Sequence, residues 1–412
     1  MRVTFTHCAG LDVHKKSVSV TIQTDGPPST LCEETRTFGT TTAELLRMRD
    51  WLEEEKITHA AIESTGVFWK PVFNILEGAL EVWVVNAQQF RNLPGRKTDV
   101  KDSVWLCDLL RHGLLKPSYI PSLPTRELRD LTRYRSRLIG NRAAEINRIQ
   151  KVLETANVKL ASIATDVLGA SGRAMIEAII AGETDPHRLT ALAKGRLKAK
   201  RLELVEALHG YINSHHRFML KQHLAHIDHL ALQISGLEAR IEENLRPFSE
   251  LLVWFDQVPG IALRTAQSVL AEIGTDMSRF PNAAALASWS GLCPGQNQSG
   301  GKHRPAKTRK GSPWLRHTLI EAAWAAVRTK DTYFSAQFAR LKSRRGARKA
   351  IVAVAHSILV VLYHLIRDHV PYRELGADYF QRHNRVALTQ KHMRALRQLG
   401  YEVEIKEHLD AA

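Results

Sequence analysis

The spacing of apolar residues changes near residue 125, and this change limits the folds open to the chain. Before it, short β-rich runs at residues 9–13, 17–24, 33–38, 59–62 and 81–85 are interspersed with helical patterns. Strands that alternate with helices predict a mixed sheet covered by helices. After residue 125 the chain reads as nearly continuous helix. At 412 residues it is too long for one core, so we expect an α/β domain followed by mostly helical domains.

The helical part contains a repeated apolar position at alternating four- and three-residue steps, which is typical of a coiled-coil seam. Its members are Leu220, Leu224, Ile227, Ala231, Ile234, Leu237, Ile241 and Leu245. Spacing alone does not distinguish pairing within the chain from pairing between chains. We predict four segments: the α/β domain over 1–125, a helical coiled-coil region over 126–250, a second domain over 251–345 and a helical C-terminal region over 346–412. The sequence assigns no role to residues 160–215 or to the C-terminal tail.

The positive charge of the chain is concentrated in two windows. Residues 1–90 hold 8 Lys and Arg against 12 Asp and Glu, a net charge of −4. Residues 91–160 hold 15 against 7, a net of +8, and residues 301–350 hold 14 against 2, a net of +12. An acidic head on a basic body indicates a polyanionic partner, with the carboxylates kept apart for another purpose.

Cysteine usage and hydropathy indicate a cytoplasmic protein without a membrane partner. The cysteines Cys8, Cys32, Cys107 and Cys293 lie far apart and form no C-x-x-C pair, so we expect neither structural zinc nor a disulfide framework. No signal peptide is evident at the N-terminus. The apolar stretch 350–366 is interrupted by histidines and is short for a membrane span, so we predict a buried helix there.

Four carboxylates occupy positions where acids distant in sequence can meet. Asp12 follows an apolar strand, Glu63 ends another, and Asp99 and Asp102 stand three residues apart at the start of a helix. Four such acids suit a hard divalent cation, Mg²⁺ or Mn²⁺, of the kind that assists phosphoryl transfer. On the residues alone, ordinary turn and cap roles explain them equally well.

A basic loop over residues 295–311 holds a serine beside two glycines. Gly300 and Gly301 would let the backbone approach a ligand closely behind Ser299. Five cations follow within nine residues: Lys302, Arg304, Lys307, Arg309 and Lys310. They could bind phosphates and stabilise developing negative charge. On the residues alone, a flexible basic loop is favoured over a nucleophile. Arg344 and Arg345, in a second basic stretch, are predicted to contact phosphate or to form a solvated face.

The order of these motifs resembles that of the DEDD transposases, which are recombinases of the insertion-sequence family numbered one hundred and ten. GLDVHK opens the chain, IESTG follows a strand, GRKTDVKDS follows VVNAQQF, and QVPGIALRTAQSVLAEIG precedes SGLCPGQNQSGGK. The resemblance implies an RNase H-like, resolvase-like N-terminal domain in which Asp12, Glu63, Asp99 and Asp102 are catalytic and bind metal. It also implies a second transposase domain with a helix-hairpin-helix-like element, in which Ser299 is the nucleophile.

The same resemblance implies a reaction and its partners. Ser299, aided by divalent metal, would attack a DNA phosphodiester and form a serine-linked strand that is later rejoined. A bridge-type non-coding RNA would pair with donor and target DNA. The protein would act as a homo-oligomer, a dimer or a tetramer, in which the acidic domain of one subunit completes the serine domain of another. It would work in the bacterial cytoplasm, associated with the nucleoid.

Three other functions fit parts of the sequence. A resolvase-like nuclease would use metal-activated water, with Ser299 incidental, and would form no covalent protein–DNA species. A sugar-kinase or actin-like ATPase shares the RNase H-like core but needs Gly-rich phosphate loops that the sequence lacks. A non-catalytic RNA-binding protein would leave the four acids unexplained.

Overall fold

The computed structural model describes residues 2–26, 30–64, 66–86, 102–295, 298–303, 307–383 and 385–404. The chain forms two compact units, Met1–Pro121 and Ser122–Ala412. The first is a mixed sheet with helices and the second is mostly helical, which confirms the predicted change of character. The further division of the second unit at residues 250 and 345 stays a prediction.

Five strands form the sheet of the first unit, in the order β3-β2-β1-β4-β5. β1 (Cys8–Val13) pairs antiparallel with β2 (Ser17–Gly26), which pairs antiparallel with β3 (Thr30–Gly39). β4 (His59–Glu63) pairs parallel with β1, and β5 (Glu81–Val85) pairs parallel with β4. β1 is therefore the central strand. Because both of its faces are covered, its residues are almost all buried rather than alternating.

Among the residues that the structure describes in this unit, three helices cover the two faces of the sheet. They are α1 (Thr42–Glu54), α2 (Trp69–Leu76) and α3 (Asp102–Arg111). On one face Leu11 and Ile62 share a core cluster with residues of α1 and α2. α1 buries Leu45, Met48, Trp51 and Leu52 there, and each such side chain contributes about 2 kcal/mol. On the other face Cys8 and Ala61 pack against α3 through Leu106, Cys107, Leu109 and Leu110.

Gly10 on the central strand lets α3 pack directly on the sheet. A Cβ atom at this position would lie 2.1 Å from the carbonyl oxygen of Ser103 and 2.4 Å from the backbone nitrogen of Cys107. Both are backbone atoms of α3, so no side-chain rotation could make room. A hydroxyl contact fixes the same approach, since Thr21 Oγ1 lies 2.9 Å from Ser103 Oγ. The residue at position 10 therefore sets how closely the helix approaches the strand.

Gly10→Ala is expected to destabilise the protein by about 2–4 kcal/mol, because the added methyl forces α3 away from β1. Urea unfolding followed by tryptophan fluorescence measures the change. Gly140→Ala is the matched control, since nothing lies within 4 Å of a Cβ atom there. Gly140 is inside a helix, so this change should be neutral or stabilising by up to about 1 kcal/mol. Equal stability of Gly10→Ala and the parent protein would refute the close packing.

The second unit is built from helices joined mainly by turns and short loops, with one short β-hairpin and short 3₁₀ segments that include Gly195–Lys200. In chain order the α-helices are α4 (Leu123–Thr155), α5 (Leu160–Ile163), α6 (Ala170–Ala181), α7 (Pro186–Ala191), α8 (Arg201–Leu208), α9 (Ser214–Leu245), α10 (Ser249–Asp256), α11 (Leu263–Ile273), α12 (Ala283–Trp289), α13 (Pro313–Ala326), α14 (Tyr333–Arg345), α15 (Ala347–Asp368), α16 (Tyr379–His383) and α17 (Arg385–Gln398).

The two longest helices, α4 and α9, pack along each other within the chain. Leu138 of α4 meets Leu230 and Ile234 of α9 in one cluster, with Leu237 at its edge. Most of the predicted seam is buried, but Leu230 rather than Ala231 carries the contact in its middle. The apolar repeat thus has a partner in its own chain, whereas its coiled-coil geometry stays a prediction.

Between α4 and α9 lies a buried carboxylate with three basic neighbours. Glu145 of α4 is only 3% exposed. One of its oxygens lies 2.8 Å from His223 Nδ1, and the other lies 3.2 Å from His226 Nδ1 and is hydrogen-bonded by Arg148. The triplet spacing of His223, His226 and His229 predicts a hydrated helix face rather than a zinc site; His226 is exposed as expected, whereas His223 is largely buried against Glu145. Burial by itself would raise the pKa of Glu145, but the His223 hydrogen bond and the nearby Arg148 and His226 outweigh it and lower the pKa.

We expect this carboxylate to make stability depend on pH. Because the pKa of Glu145 is lower in the folded chain than its ordinary value of 4.5, its contribution is complete above that value and is lost as the pH falls below it. Glu145→Gln should therefore flatten the acid limb of the unfolding free energy against pH. Glu243→Gln, at an exposed ion pair on α9, is the control and should leave the limb unchanged. Parallel acid limbs for Glu145→Gln and the parent protein would contradict the assignment.

Several arginines of α4 bind the protein itself. Arg135 is 2% exposed and donates to Gln267 Oε1 of α11 at 2.5 Å. Arg133 donates to both carboxylate oxygens of Glu272, at 2.7 and 2.9 Å, and Arg129 donates to two backbone carbonyls at the end of α11. Part of the positive charge in the window 91–160 is therefore structural and is not available to a polyanion.

The apolar helix α15 lies in the core of the second unit. Among the described helices, it alone is long and apolar enough to cross a membrane. However, 56% of its most apolar 18-residue stretch is buried inside the protein. Its buried residues include Ile351, Val354, Ile358 and Leu362, and the Tyr363 hydroxyl donates to the carbonyl oxygen of Phe280 at 3.0 Å. These contacts are typical of a core helix.

Candidate active site

Two of the four predicted acids lie at the same level on neighbouring strands. β1 and β4 run parallel with Leu11 opposite Ile62, so Asp12 and Glu63 each stand one residue beyond that pair. Neighbouring strands are about 4.8 Å apart, and successive side chains point to opposite faces. Since Leu11 and Ile62 face the α1–α2 core, Asp12 and Glu63 project to the face that α3 covers. The register thus brings two carboxylates from distant sequence side by side.

The first turn of α3 directs the third acid toward the same edge. Cys107 in the middle of α3 lies over Cys8 at the start of β1, with 3.8 Å between the two sulfurs, and Ser103 lies over Gly10. The helix therefore runs opposite to β1, and its N-terminal end lies toward the end of the strand that carries Asp12. Asp102 is the first residue of this helix and is exposed.

Asp12 has a neighbour that the sequence did not single out. His14 Nε2 lies 3.0 Å from Asp12 Oδ2, and the Asp12 side chain is 26% exposed. His14 begins the turn between β1 and β2, where its backbone nitrogen donates to the carbonyl oxygen of Ser17 at 2.9 Å. The signal was present in the sequence, because a histidine two residues beyond a candidate ligand is a short-range partner for it. A cation bound by Asp12 would compete with this imidazole for Oδ2.

Within the described ranges, no group of three or more His, Cys, Asp or Glu side chains is close enough to hold a metal ion. Asp99, the fourth predicted acid, lies outside the described residues. The carboxylate chemistry of Asp12, Glu63 and Asp102 fits a hard divalent cation, but these three side chains alone do not form a closed site.

The nearby thiols are structural. Cys107 of α3 and Cys8 of β1 are both buried, with 3.8 Å between their sulfurs, and hydrogen bonding with Cys8 and then burial raise the pKa of Cys107. The two thiols therefore pack against each other at the start of β1, away from the end of the strand that carries Asp12.

Ser299 lies at the tip of a short β-hairpin in the second unit. β6 (Gln298–Ser299) pairs antiparallel with β7 (Lys302–His303), with Ser299 opposite Lys302. Gly300 and Gly301 form the two-residue turn, with φ of 56° and 75°. Two positive φ values are the pattern of a type I′ turn, which glycine adopts without strain. The glycines that sequence analysis assigned to close ligand approach thus also close a hairpin directly after Ser299.

Backbone hydrogen bonds join the two strands of chain leading to this hairpin. The Gly295 nitrogen donates to the Lys307 carbonyl oxygen at 2.9 Å, and the Arg309 nitrogen donates to the Cys293 carbonyl oxygen at 3.1 Å. Pro294 and Thr308 form a β-bridge between them. The described parts of the loop are therefore joined to each other by backbone pairing.

The described cations of this loop are exposed. They are Lys302, Lys307, Arg309 and Lys310. Arg309 donates to Ser288 Oγ at 3.1 Å, whereas the three lysines form no ion pair within the described part of the chain. Arg304 lies outside the described residues. Arg344 and Arg345 are exposed and are the last two residues of α14.

The C-terminal side of the loop is anchored to α11 and α4. Ser312 caps α13 by accepting from the Leu315 nitrogen at 3.3 Å, and its hydroxyl donates to Glu272 Oε2 at 3.0 Å. Glu272 is buried, and Arg133 donates two hydrogen bonds to its carboxylate. The guanidinium groups of Arg133 and Arg137 lie 5.8 and 5.4 Å from the ring centre of Trp314. Sequence reasoning missed this anchor because its members lie far apart in the chain.

Comparison with known proteins places both candidate sites in one family. A model of the DEDD transposases of IS110 type, described as a transposase, matches residues 9–158. A second model, described as "Transposase IS116/IS110/IS902 family", matches residues 254–339, and the two together cover more than half of the chain. The chain belongs to the IS110 family of transposases. It is therefore a DNA transposase, and its family suggests dependence on a divalent metal.

Relatives of this IS110-family transposase include two proteins named as transposases and one named as a gene-inverting protein. A protein of Pseudomonas aeruginosa named "Probable family 20 transposase" is 26% identical over 283 residues, which is 68% of this chain and 75% of that protein. The transposase for insertion sequence element IS1111A of Coxiella burnetii is 32% identical over 120 residues, 28% of this chain and 33% of its own length. The pilin gene-inverting protein of Moraxella lacunata is 29% identical over 197 residues, 45% of this chain and 58% of that protein.

Proposed function

We propose that this transposase breaks and rejoins DNA strands through a covalent phosphoserine intermediate formed by Ser299. The observation that carries the proposal is the position of Ser299 on the β6–β7 hairpin, directly before the Gly300–Gly301 turn and among exposed cations. A residue at the tip of a paired hairpin can approach a phosphodiester without displacing the core of the domain. The second family match, over residues 254–339, includes this hairpin.

The proposed covalent step balances without a further reactant. The Ser299 oxygen forms a bond to the phosphorus of a DNA phosphodiester, and the bond from phosphorus to one deoxyribose oxygen breaks. The serine proton leaves to a base, and the departing sugar oxygen takes up a proton to become a free hydroxyl. A hydroxyl of the partner strand then attacks the phosphoserine and restores the serine. The phosphoester bond energy is conserved, which suits strand exchange rather than simple cutting.

We propose that Asp12, Glu63, Asp99 and Asp102 hold a divalent cation, Mg²⁺ or Mn²⁺, on an RNase H-like domain. The adjacent positions of Asp12 and Glu63 and the direction of α3 support this set, and the mixed five-stranded sheet is compatible with that fold. Such a cation would polarise the phosphate and stabilise negative charge on the attacking and leaving oxygens. His14 Nε2 lies 3.0 Å from Oδ2 of the same Asp12 carboxylate, so it stands next to the proposed cation.

We propose that the exposed cations bind the phosphates that flank the reacting bond. Lys302, Lys307, Arg309 and Lys310 belong to the loop of Ser299, together with Arg304, and Arg344 and Arg345 form a second basic group. Each phosphate that such a cation neutralises releases a counterion, so binding should weaken steeply with salt. Because these contacts go to the backbone of the nucleic acid, they position the DNA without reading its sequence.

Family membership supports the remaining partners of the proposal. They are donor and target DNA, a bridge-type RNA that pairs with both, and further copies of the chain in a dimer or tetramer. We propose that α10, the turn around Gly260 and α11 form the helix-hairpin-helix-like element. We place the protein in the bacterial cytoplasm at the nucleoid, where its DNA substrates are.

The test is a denaturing gel of the purified transposase with Mg²⁺, end-labelled donor and target DNA, and RNA transcribed from the ends of the element. We expect a slowly migrating labelled band that protease treatment removes. Mass spectrometry of the nuclease-trimmed adduct should place the nucleotide on Ser299. Cleaved DNA without an adduct would instead indicate a resolvase-like nuclease that uses metal-activated water.

A further inference from the structure

A basic cavity lies in the part of the second unit that neither family match covers, between residues 158 and 254. Its volume is about 690 Å³. The first turn of α6, the loop before it and the segment 194–200 form its walls. Its charged lining residues are Lys194, Arg196, Lys200 and Asp166. Neither the candidate acids nor the Ser299 loop belongs to it, so the proposed reaction gives it no role.

The walls of this cavity are fixed to the core. Ser171 in the first turn of α6 accepts a hydrogen bond from the Lys194 nitrogen at 2.8 Å, and its hydroxyl lies 3.5 Å from the Lys194 carbonyl oxygen. Ile163 and Leu197, which also line the cavity, pack against the core cluster formed by α4 to α9. The basic segment is therefore held on an ordered backbone rather than on a loose loop.

The cations of this segment have no acidic partner. Lys194, Arg196, Lys198, Lys200 and Arg201 place five positive charges in eight residues, and all five side chains are exposed. Within the described part of the chain none of them forms an ion pair, although many other surface arginines do. Against the three cations of the lining stands one carboxylate, Asp166, which accepts from the Leu168 nitrogen at 3.0 Å. The cavity thus keeps an uncompensated positive charge.

The positive charge of this segment extends beyond the cavity. The 3₁₀ segment Gly195–Lys200 has six residues and spans about 12 Å at about 2.0 Å per residue. Because side chains three residues apart share one side of a 3₁₀ helix, the cations at every second residue point to different sides. Lys198 and Arg201 lie outside the cavity lining. A single small phosphate compound in the cavity would leave these two cations without a contact, whereas a longer polyanion could reach them.

We propose that this surface, the 194–201 groove, binds the sugar-phosphate backbone of a nucleic acid, away from the strands that react. The ligand chemistry is a run of phosphodiesters, which either DNA flanking the reacting site or a guide RNA would supply. The contact is independent of sequence, because lysine and arginine side chains on phosphates carry no base information. The proposal depends on the transposase acting on nucleic acid and does not require Ser299 to be the nucleophile.

The test is binding of the full-length triple variant Lys194→Gln, Arg196→Gln, Lys200→Gln to a labelled 30-base-pair duplex DNA and to a duplex RNA of equal length. Fluorescence anisotropy over a salt series gives the affinity and its salt dependence. Removing three phosphate contacts should lower the slope of log K against log salt by about 2–3 and weaken binding about 10- to 100-fold near 0.1 M salt. The charge-matched control is Lys151→Gln, Lys221→Gln, Arg246→Gln, at exposed positions without ion pairs in the described chain.

A loss confined to the groove variant supports the proposal, and the arm that shows it identifies the source, DNA or RNA. Equal losses of affinity in the groove and control variants would mean that only net charge matters, and this would overturn the proposal. Unchanged affinity of the groove variant would also overturn it. Thermal unfolding of both variants checks that the substitutions leave the fold intact, and Ser171→Ala provides a second variant that keeps every charge but releases the basic segment. Since binding is measured without cleavage, the result is separate from that of the adduct experiment.

Discussion

Ser299→Ala is expected to abolish the protein–DNA adduct and to lower recombination by about 10³- to 10⁶-fold. The physical reason is that alanine has no oxygen to bond to phosphorus, while the hairpin that carries it is held by backbone pairing that the substitution leaves intact. DNA binding should change by less than about twofold, because the exposed cations of the loop remain. The measurements are adduct yield on a denaturing gel, recombinant product over time, and anisotropy with uncleavable DNA.

The matched control is Ser249→Ala. Ser249 is exposed at the start of α10, and within the described part of the chain its hydroxyl forms no hydrogen bond, so adduct and product should equal those of the parent protein. Two results would count against the nucleophile. Full recombination by the Ser299→Ala variant would show that Ser299 is not the nucleophile. Loss of DNA binding in parallel with loss of the adduct would make Ser299 part of a phosphate clamp.

The sheet and its two strand-end acids could be predicted because their signals are local. An apolar run followed by Asp12, and another that ends at Glu63, are visible within a few residues, and the hairpin of β1 and β2 follows from the polar turn between them. That Asp12 and Glu63 lie at one level depends on the parallel register of β1 and β4. Register between strands separated by a hairpin and a helix is set by packing, which no short pattern contains.

The place of α3 could not be predicted, although one residue carried a hint. A glycine inside a buried strand is costly unless something approaches its backbone, and Gly10 is where Ser103 and Cys107 do so. Which helix approaches is a property of the folded chain. The partners of Arg133 and Arg135 could not be predicted for the same reason. The helical pattern of α4 places both arginines on its polar side. Their partners Glu272 and Gln267 lie more than 130 residues further along the chain.

The prediction for residues 220–245 was right about the helix and partly right about its buried face. The alternating steps gave the apolar stripe of α9, and the structure supplies its partner, α4. The heptad spacing places Ala231 in the predicted seam. In the structure the larger Leu230 packs against Leu138 instead. Residues 160–215 lacked any such periodic signal, and their short helices form around a core that α4 and α9 complete.

Asp12→Asn and Glu63→Gln are each expected to lower adduct formation by about 10²- to 10⁴-fold while the fold is retained. The amides keep the shape of the carboxylates but remove the charge that attracts a hard divalent cation, and a loss of about 3–5 kcal/mol of transition-state stabilisation gives this range. Because the two acids are adjacent in register and would act on one cation, the double variant should be scarcely worse than either single one.

Asp50→Asn is the control, since Asp50 is exposed on α1 and pairs only with the neighbouring Arg49 among the described contacts. The measurement is adduct yield as a function of Mg²⁺ concentration for each variant, and thermal unfolding checks that the fold is retained. Undiminished adduct in both single variants would remove these acids from the site, and strictly additive losses would assign them to separate tasks rather than to a shared cation.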